Sequence, residues 1–203
     1  MKRRQKEFLV SKPIHTISFF RHGRTDKAQP DSARRLTDEG KAQAARHRLK
    51  LGDPSFRVGY VSPLQRTHET LEILSGGSCV RVETVNELVH DTSTDSGKLI
   101  EAAFEKLGYA SIADYLNKSD DATKAALVEY GERAWNALKT KMGSSRENTI
   151  VVGHAVLLGL LIMAAYPNAP IEEIYALNFG ECEGAKLSFD ETGACIDMKK
   201  LCD

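Results

Sequence analysis

The chain has 203 residues, enough for one domain with a sizeable core, and 41% of it is apolar, a globular rather than disordered composition. Its formal net charge is zero, which excludes the basic balance of nucleic-acid binders and polybasic membrane proteins. Cys79, Cys182, Cys195 and Cys202 form no CxxC pair and no zinc spacing, so they read as scattered thiols of a reducing compartment.

Residues 1–12 read as a flexible arm. The basic Lys2, Arg3, Arg4 and Lys6 are followed by no unbroken apolar run, so no signal peptide is expected and the cytoplasm is the default location. Residues 14–20 form a short apolar run of strand type that delivers Arg21-His22-Gly23-Arg24-Thr25 to a turn. Thr37 then caps a helix with Ala42, Ala45 and Leu49 along one face. Residues 56–61 read as a second strand ending in Ser62-Pro63. The proline suits the first turn of a helix on which Leu64, Leu71 and Leu74 keep helical spacing. A third strand is expected at 80–85, and a helical stretch at 96–142 is punctuated by Gly108 and the polar residues 117–121. Residues 149–152 form a fourth strand, followed by Gly153-His154 and an apolar helix over 156–166 that is too short to span a bilayer. Residues 186–189 and 194–198 flank Glu191-Thr192-Gly193 as a hairpin.

Alternating strands and helices predict a three-layer α/β/α sandwich with a mostly parallel central sheet, and one domain over residues 1–203. In such sheets the ligand crevice lies beyond the carboxyl ends of the strands. Four strand ends would then bring Arg21-His22-Gly23, Ser62-Pro63 with Arg66, Asn86-Glu87, and Gly153-His154 to one rim.

Several nucleophile motifs are excluded. No cysteine has an arginine six positions later, alanine stands where a Gly153-centred nucleophile elbow would need serine, and no GxxxxGK[ST] or GxGxxG loop occurs. Neighbouring arginines argue against a metal beside the two histidines, and no cofactor is expected. Phosphoryl transfer fits the set. Arg21 and Arg66 can hold phosphate oxygens by bidentate, charge-assisted hydrogen bonds, and Gly23 lets the backbone approach the ligand closely. His154 can add a further contact. Guanidinium charge lowers the pKa of His22 and keeps it neutral and nucleophilic, while Glu87 is the best-placed acid for the leaving group.

The series Arg21-His22-Gly23-x-Thr25, Leu36-Thr37-x-x-Gly40-x-x-Gln43-Ala44, Ser62-Pro63-Leu64-x-Arg66-Thr67-x-x-Thr70, Glu87-Leu88 and Val151-Val152-Gly153-His154 resembles the histidine phosphatase superfamily, in its phosphoglycerate-mutase-like branch. The resemblance implies that His22 accepts the phosphoryl group as a phosphohistidine that water hydrolyses. It places Arg21, Arg66 and His154 in the phosphate pocket and Glu87 at the proton-donor position, with Asp91 as the fallback. The Trp-Asn pair usual after this motif in phosphoglycerate mutases is missing, and the only tryptophan is Trp135. The run at 31–37 looks more like the small phosphatases of the family, including protein phosphohistidine phosphatases, so hydrolysis is expected rather than mutase activity.

Further expectations concern the rim. Arg24 and Thr25 can touch substrate, although Thr25 could equally bond its own loop backbone. His90 could line the mouth, and Arg34 and Arg35 could steer an anion. Residues 91–145 would supply a helical lid, with Phe104, Tyr109 and Tyr115 facing the substrate or packing. His15, His47 and His68 read as surface or packing residues. The expected substrate is a phosphorylated small molecule or phosphoprotein, with no nucleic acid and no membrane as partners. A phosphoglycerate-mutase-type transferase and a catalytically weak phospho-ligand binding module are the alternatives.

Overall fold

A computed structural model describes residues 13–52 and 54–201; the expected arm at 1–12 and Cys202 lie outside the described residues. The strands are β1 (His15–Arg21), β2 (Val58–Val61), β3 (Arg81–Thr84), β4 (Thr149–Gly153), β5 (Gly184–Phe189) and β6 (Cys195–Leu201). The helices are α1 (Asp38–Lys50), α2 (Gln65–Ser75), α3 (Asp95–Leu107), α4 (Ile112–Lys118), α5 (Asp121–Met142), α6 (Ala155–Ala165) and α7 (Ile171–Tyr175), with single 3-10 turns at Asp31–Ala33 and Asn86–Leu88.

The six strands form one sheet in the order β3-β2-β4-β1-β5-β6. β3, β2, β4 and β1 pair in parallel, whereas β5 runs antiparallel to both β1 and β6. β2 and β4 are buried along their whole length, which explains why they read as unbroken apolar runs rather than alternating ones. β3 is an exposed edge. Side chains from the two faces of the sheet enter separate cores. Phe19, Tyr60 and Val151 join the core under α3 to α7, while Phe20, Val61 and Val152 join the core under α1 and α2. The expected layered fold is therefore present, and among the described residues no helix is long and apolar enough to cross a membrane.

β1 and β4 lie in register with Arg21 opposite Gly153. The next residues, His22 and His154, therefore leave neighbouring strands at the same level.

Three details differ from the sequence reading. The helix capped by Thr37, whose side chain accepts from the Gly40 N–H, buries Gly40, Ala44 and His47 rather than Ala42, Ala45 and Leu49, and Leu49 is 75% exposed. The docking face is set by close approach. A Cβ on Gly40 would overlap the Arg24 carbonyl oxygen, so the loop after β1 lies directly on the helix. Pro63 stands outside α2, whose N-cap is Leu64, and the turn it makes leaves the Ser62 side chain free to reach the site. The long helical stretch is three helices. Gly108, at φ 59°, ends α3; a capping box between Ser111 and Asp114 starts α4, and Asp120 caps α5.

Candidate active site

A cavity of about 690 Å³ opens at the carboxyl ends of the parallel strands. Arg21, His22, Arg66 and His154 all line it, as does Thr25. The first turn of α6 contributes Ala155 and Val156, so the positive end of that helix dipole faces the cavity.

His22 is fixed by its neighbour's backbone. Its Nδ1 lies 2.8 Å from the Gly23 carbonyl oxygen, which can only accept. Nδ1 therefore carries the proton and Nε2 keeps its lone pair. Burial pushes the pKa of this ring down to about 4, opposed by the Gly23 hydrogen bond and assisted by the charges of Arg66 and Arg21. Desolvation thus outweighs the guanidinium charge that the sequence reading invoked.

The His154 ring meets that of His22 edge to face, with centroids 5.2 Å apart. Its Nδ1 is 3.5 Å from Arg66 Nη2, and a guanidinium can only donate, so Nδ1 is an acceptor. Its Nε2 then donates to Ser62 Oγ at 2.9 Å. Ser62 Oγ lies 3.0 Å from Thr67 Oγ1, and the Thr67 hydroxyl donates to the Leu64 carbonyl at 2.7 Å. This chain uses the only N–H of a neutral His154. Burial, followed by the charges of His22, Arg66 and Arg21, holds its pKa well below the usual histidine value. In this form His154 orients Arg66; a contact from Nδ1 to an anion would require a second proton.

Arg21 donates through Nη1 to the Phe179 carbonyl at 2.8 Å and packs 5.2 Å from the centroid of the Tyr109 ring. Arg66 donates to Asp31 twice, to the carbonyl at 2.7 Å and to the carboxylate at 3.1 Å. Both arginines keep a buried Nε–H without a partner. Such buried donors without an acceptor are costly.

Gly23 does not face the cavity. Its N–H donates to Thr70 Oγ1 at 3.0 Å, and a Cβ there would come within 3.0 Å of the Gly40 carbonyl oxygen and 3.1 Å of Cys182 Sγ. Its place in the motif is explained by packing, not by contact with phosphate. Arg24 also turns away, pairing with Glu39 at 2.6 Å and Glu181 at 3.0 Å. Arg34 lines the cavity, whereas Arg35 pairs with Glu69.

Neither expected proton donor lines the cavity. After β3 the chain makes the single turn Asn86–Leu88, which buries Leu88 and brings Val89 and His90, not Glu87, to the cavity wall. Asp91 is exposed, and its carboxylate accepts from the backbone and hydroxyl of Ser93. Those hydrogen bonds hold its pKa below the usual carboxylate value, the opposite of what an acid needs. The far wall comes from the helices at 91–145, with Glu101, Phe104, Tyr109 and Tyr115. Asp31, Lys27, Glu101 and Glu181 also line the cavity, and spacing offered no signal for them. Cys79, Cys182 and Cys195 are free, and among the described residues no group of three or more His, Cys, Asp or Glu could hold a metal.

Among solved structures, the chain is similar to a mycobacterial glucosyl-3-phosphoglycerate phosphatase, at 19% identity and a TM-score of 0.61, covering 92% of this chain and 96% of that one. It is also similar to a phosphoserine phosphatase from Entamoeba histolytica, at 16% identity and a TM-score of 0.62, with 89% and 93% covered. A third is the protein histidine phosphatase SixA, at 20% identity and a TM-score of 0.54, with 92% and 97% covered. At these identities the likeness speaks for the fold alone. No curated protein sequence matches the chain significantly. The profile of the histidine phosphatase superfamily, branch 1, spans residues 17–200, and the chain belongs to that superfamily.

Proposed function

We propose that this protein is a metal-independent phosphatase that transfers the phosphoryl group of a monoester or phosphoramidate to His22 and then to water. One observation carries the reading: a half-buried, neutral histidine whose Nε2 lone pair is free shares a cavity with two guanidinium groups and a helix N-terminus. In this mechanism Nε2 attacks phosphorus in line with the leaving group. Arg21, Arg66 and the first turn of α6 hold the three equatorial oxygens and offset the charge that builds on them. His154 keeps Arg66 in place. The helices at 91–145 act as the lid that selects the remainder of the substrate, and the free thiols suit a cytoplasmic setting.

The test is a rapid quench into base with an aryl phosphate radiolabelled in its phosphoryl group. Phosphate that is stable to base and labile to acid should accumulate on His22, and His22→Ala should abolish both labelling and turnover. Chelators should leave the rate unchanged. Retention of most activity by pure His22→Ala would refute the mechanism, and phosphate binding without labelling would favour a binding module.

A further inference from the structure

We propose that Glu101, held by His90, carries the proton to the leaving oxygen and later takes one from the attacking water. The proposal rests on the phosphatase reading above. Among the described residues three carboxylates line the cavity, namely Asp31, Glu101 and Glu181. Asp31 is engaged by Arg66 and Arg34, and Glu181 by Arg24. Asp31 thus spends both oxygens, and Glu181 one, as acceptors for fixed cations. Glu101 is the cavity carboxylate that meets a histidine instead, with Oε2 2.7 Å from His90 Nε2.

The environment of His90 settles which partner owns the mobile proton. Its Nδ1 is buried and has no hydrogen-bond partner. A charged ring would have to donate from both nitrogens, and a buried N–H without an acceptor costs on the order of 1–3 kcal/mol. The ring is therefore neutral, with its one proton on Nε2 directed at Glu101. It is also clamped. Its edge packs at 90° on Phe104, 5.2 Å between centroids, and Phe104 packs at 85° on Tyr115. The His90 side chain is 13% exposed and that of Glu101 is 47% exposed, so a largely buried support holds one oxygen of a half-exposed carboxyl. His90 and Glu101 line the same cavity as His22, Arg66 and His154, which puts the pair within reach of the phosphate pocket. Tyr115, the other candidate on this wall, already donates its hydroxyl to the Gly108 carbonyl at 2.6 Å, and burial pushes its pKa up to about 12.

The step balances as follows. The Nε2 lone pair of His22 forms the N–P bond while the P–O ester bond breaks, and the released electron pair takes the proton of the Glu101 carboxyl to give the alcohol. Water then forms a P–O bond and gives its proton to the Glu101 carboxylate. The N–P bond breaks, and its electron pair returns to Nε2. Glu101 touches the reacting oxygens in this scheme, and His90 is a positioning residue.

Leaving-group dependence tests the assignment. Glu101→Gln keeps an oxygen for His90 and removes the acid. It should lower kcat on an alkyl phosphate by about 100-fold or more while changing p-nitrophenyl phosphate turnover by less than about threefold, because general acid catalysis of this size matters only when the leaving group is poor. Phosphate should still accumulate on His22 in this variant. Glu87→Gln should leave the alkyl-to-aryl ratio unaltered. His90→Ala should shift that ratio in the same direction as Glu101→Gln, and His90→Gln, whose amide can donate to Glu101, should restore it. An unaltered ratio in Glu101→Gln, or a ratio that moves in Glu87→Gln instead, would overturn the proposal. Failure of the wild-type protein to label His22 or to hydrolyse either ester would refute the phosphatase reading instead.

Discussion

Replacing His22 by asparagine removes a ring that folding keeps neutral, and the consequence can be read in stability as well as in turnover. The pKa of His22 is about 4 in the folded protein against an ordinary value of 6.5. Between those values the unfolded chain binds a proton that the folded protein does not. The stability linked to His22 is therefore fully present above about pH 6.5 and is lost as the solution is acidified towards pH 4. At about 1.4 kcal/mol per pKa unit the whole span is worth roughly 3 kcal/mol, of which about 2 kcal/mol falls between pH 7.5 and 5.0. His154 acts in the same direction and stays in the variant, where burial, the largest cause of its lowered pKa, persists while the contribution of His22 is removed. Asp91, Asp114, Asp120 and Asp190, whose pKa values are lowered by hydrogen bonds, contribute only at more acid pH, so the window isolates the histidines. Urea unfolding of wild type and His22→Asn at both pH values, in phosphate-free buffer, measures the effect. The wild type should lose about 2 kcal/mol more than the variant, an extra midpoint shift of about 1 M urea for a typical slope. Equal losses in the two proteins would refute the reasoning.

The contact between Asp31 and Arg66 competes with an anion for the same guanidinium. Asp31→Ala should tighten inhibition by inorganic phosphate about fivefold, the worth of a partly exposed ion pair of ~1 kcal/mol, and an unchanged inhibition constant would show no competition. Thr70→Val leaves the buried Gly23 N–H without its acceptor and should cost about 1–3 kcal/mol in urea unfolding, with lower turnover of an aryl phosphate. Gly40→Ala drives a methyl group into the Arg24 carbonyl and should cost about 3 kcal/mol or more, whereas Ala45→Ser on the exposed face should stay within about 0.5 kcal/mol, both read by thermal unfolding.

Much of the site was legible because two rules act together. Apolar runs end where Arg21-His22 and Gly153-His154 begin, and a parallel sheet puts such ends on one rim, so these residues could be brought together from spacing alone. Thr37 was legible as a cap because capping is local chemistry. The buried face of α1 was not, because a close approach to the backbone of Arg24 chose Gly40 and Ala44 over the larger Leu49. Glu87 lies near the expected place, but the single turn at Asn86–Leu88 decides which side chains reach the cavity, and hydrophobic spacing carries no information about that turn. Asp31, Glu101 and Tyr109 reach the cavity from a loop and from the far helices. Their placement depends on how those segments pack, which no local pattern records.

β4 is hydrogen-bonded on both sides, to β2 and to β1, so its carboxyl end has two independent anchors. The segment between β3 and β4, which supplies α3, α4 and α5, is not needed to locate His154. Apart from His90 and Glu101, its cavity-facing part therefore behaves as an exchangeable cassette. A differently lined crossover can be spliced between the same two strands, provided it still covers Tyr60 and Val151 and keeps that pair, and under the proposed mechanism Arg21, His22, Arg66 and His154 would keep their places while the range of accepted alcohols changed. Engineering new selectivity into this scaffold is then a matter of choosing what joins β3 to β4.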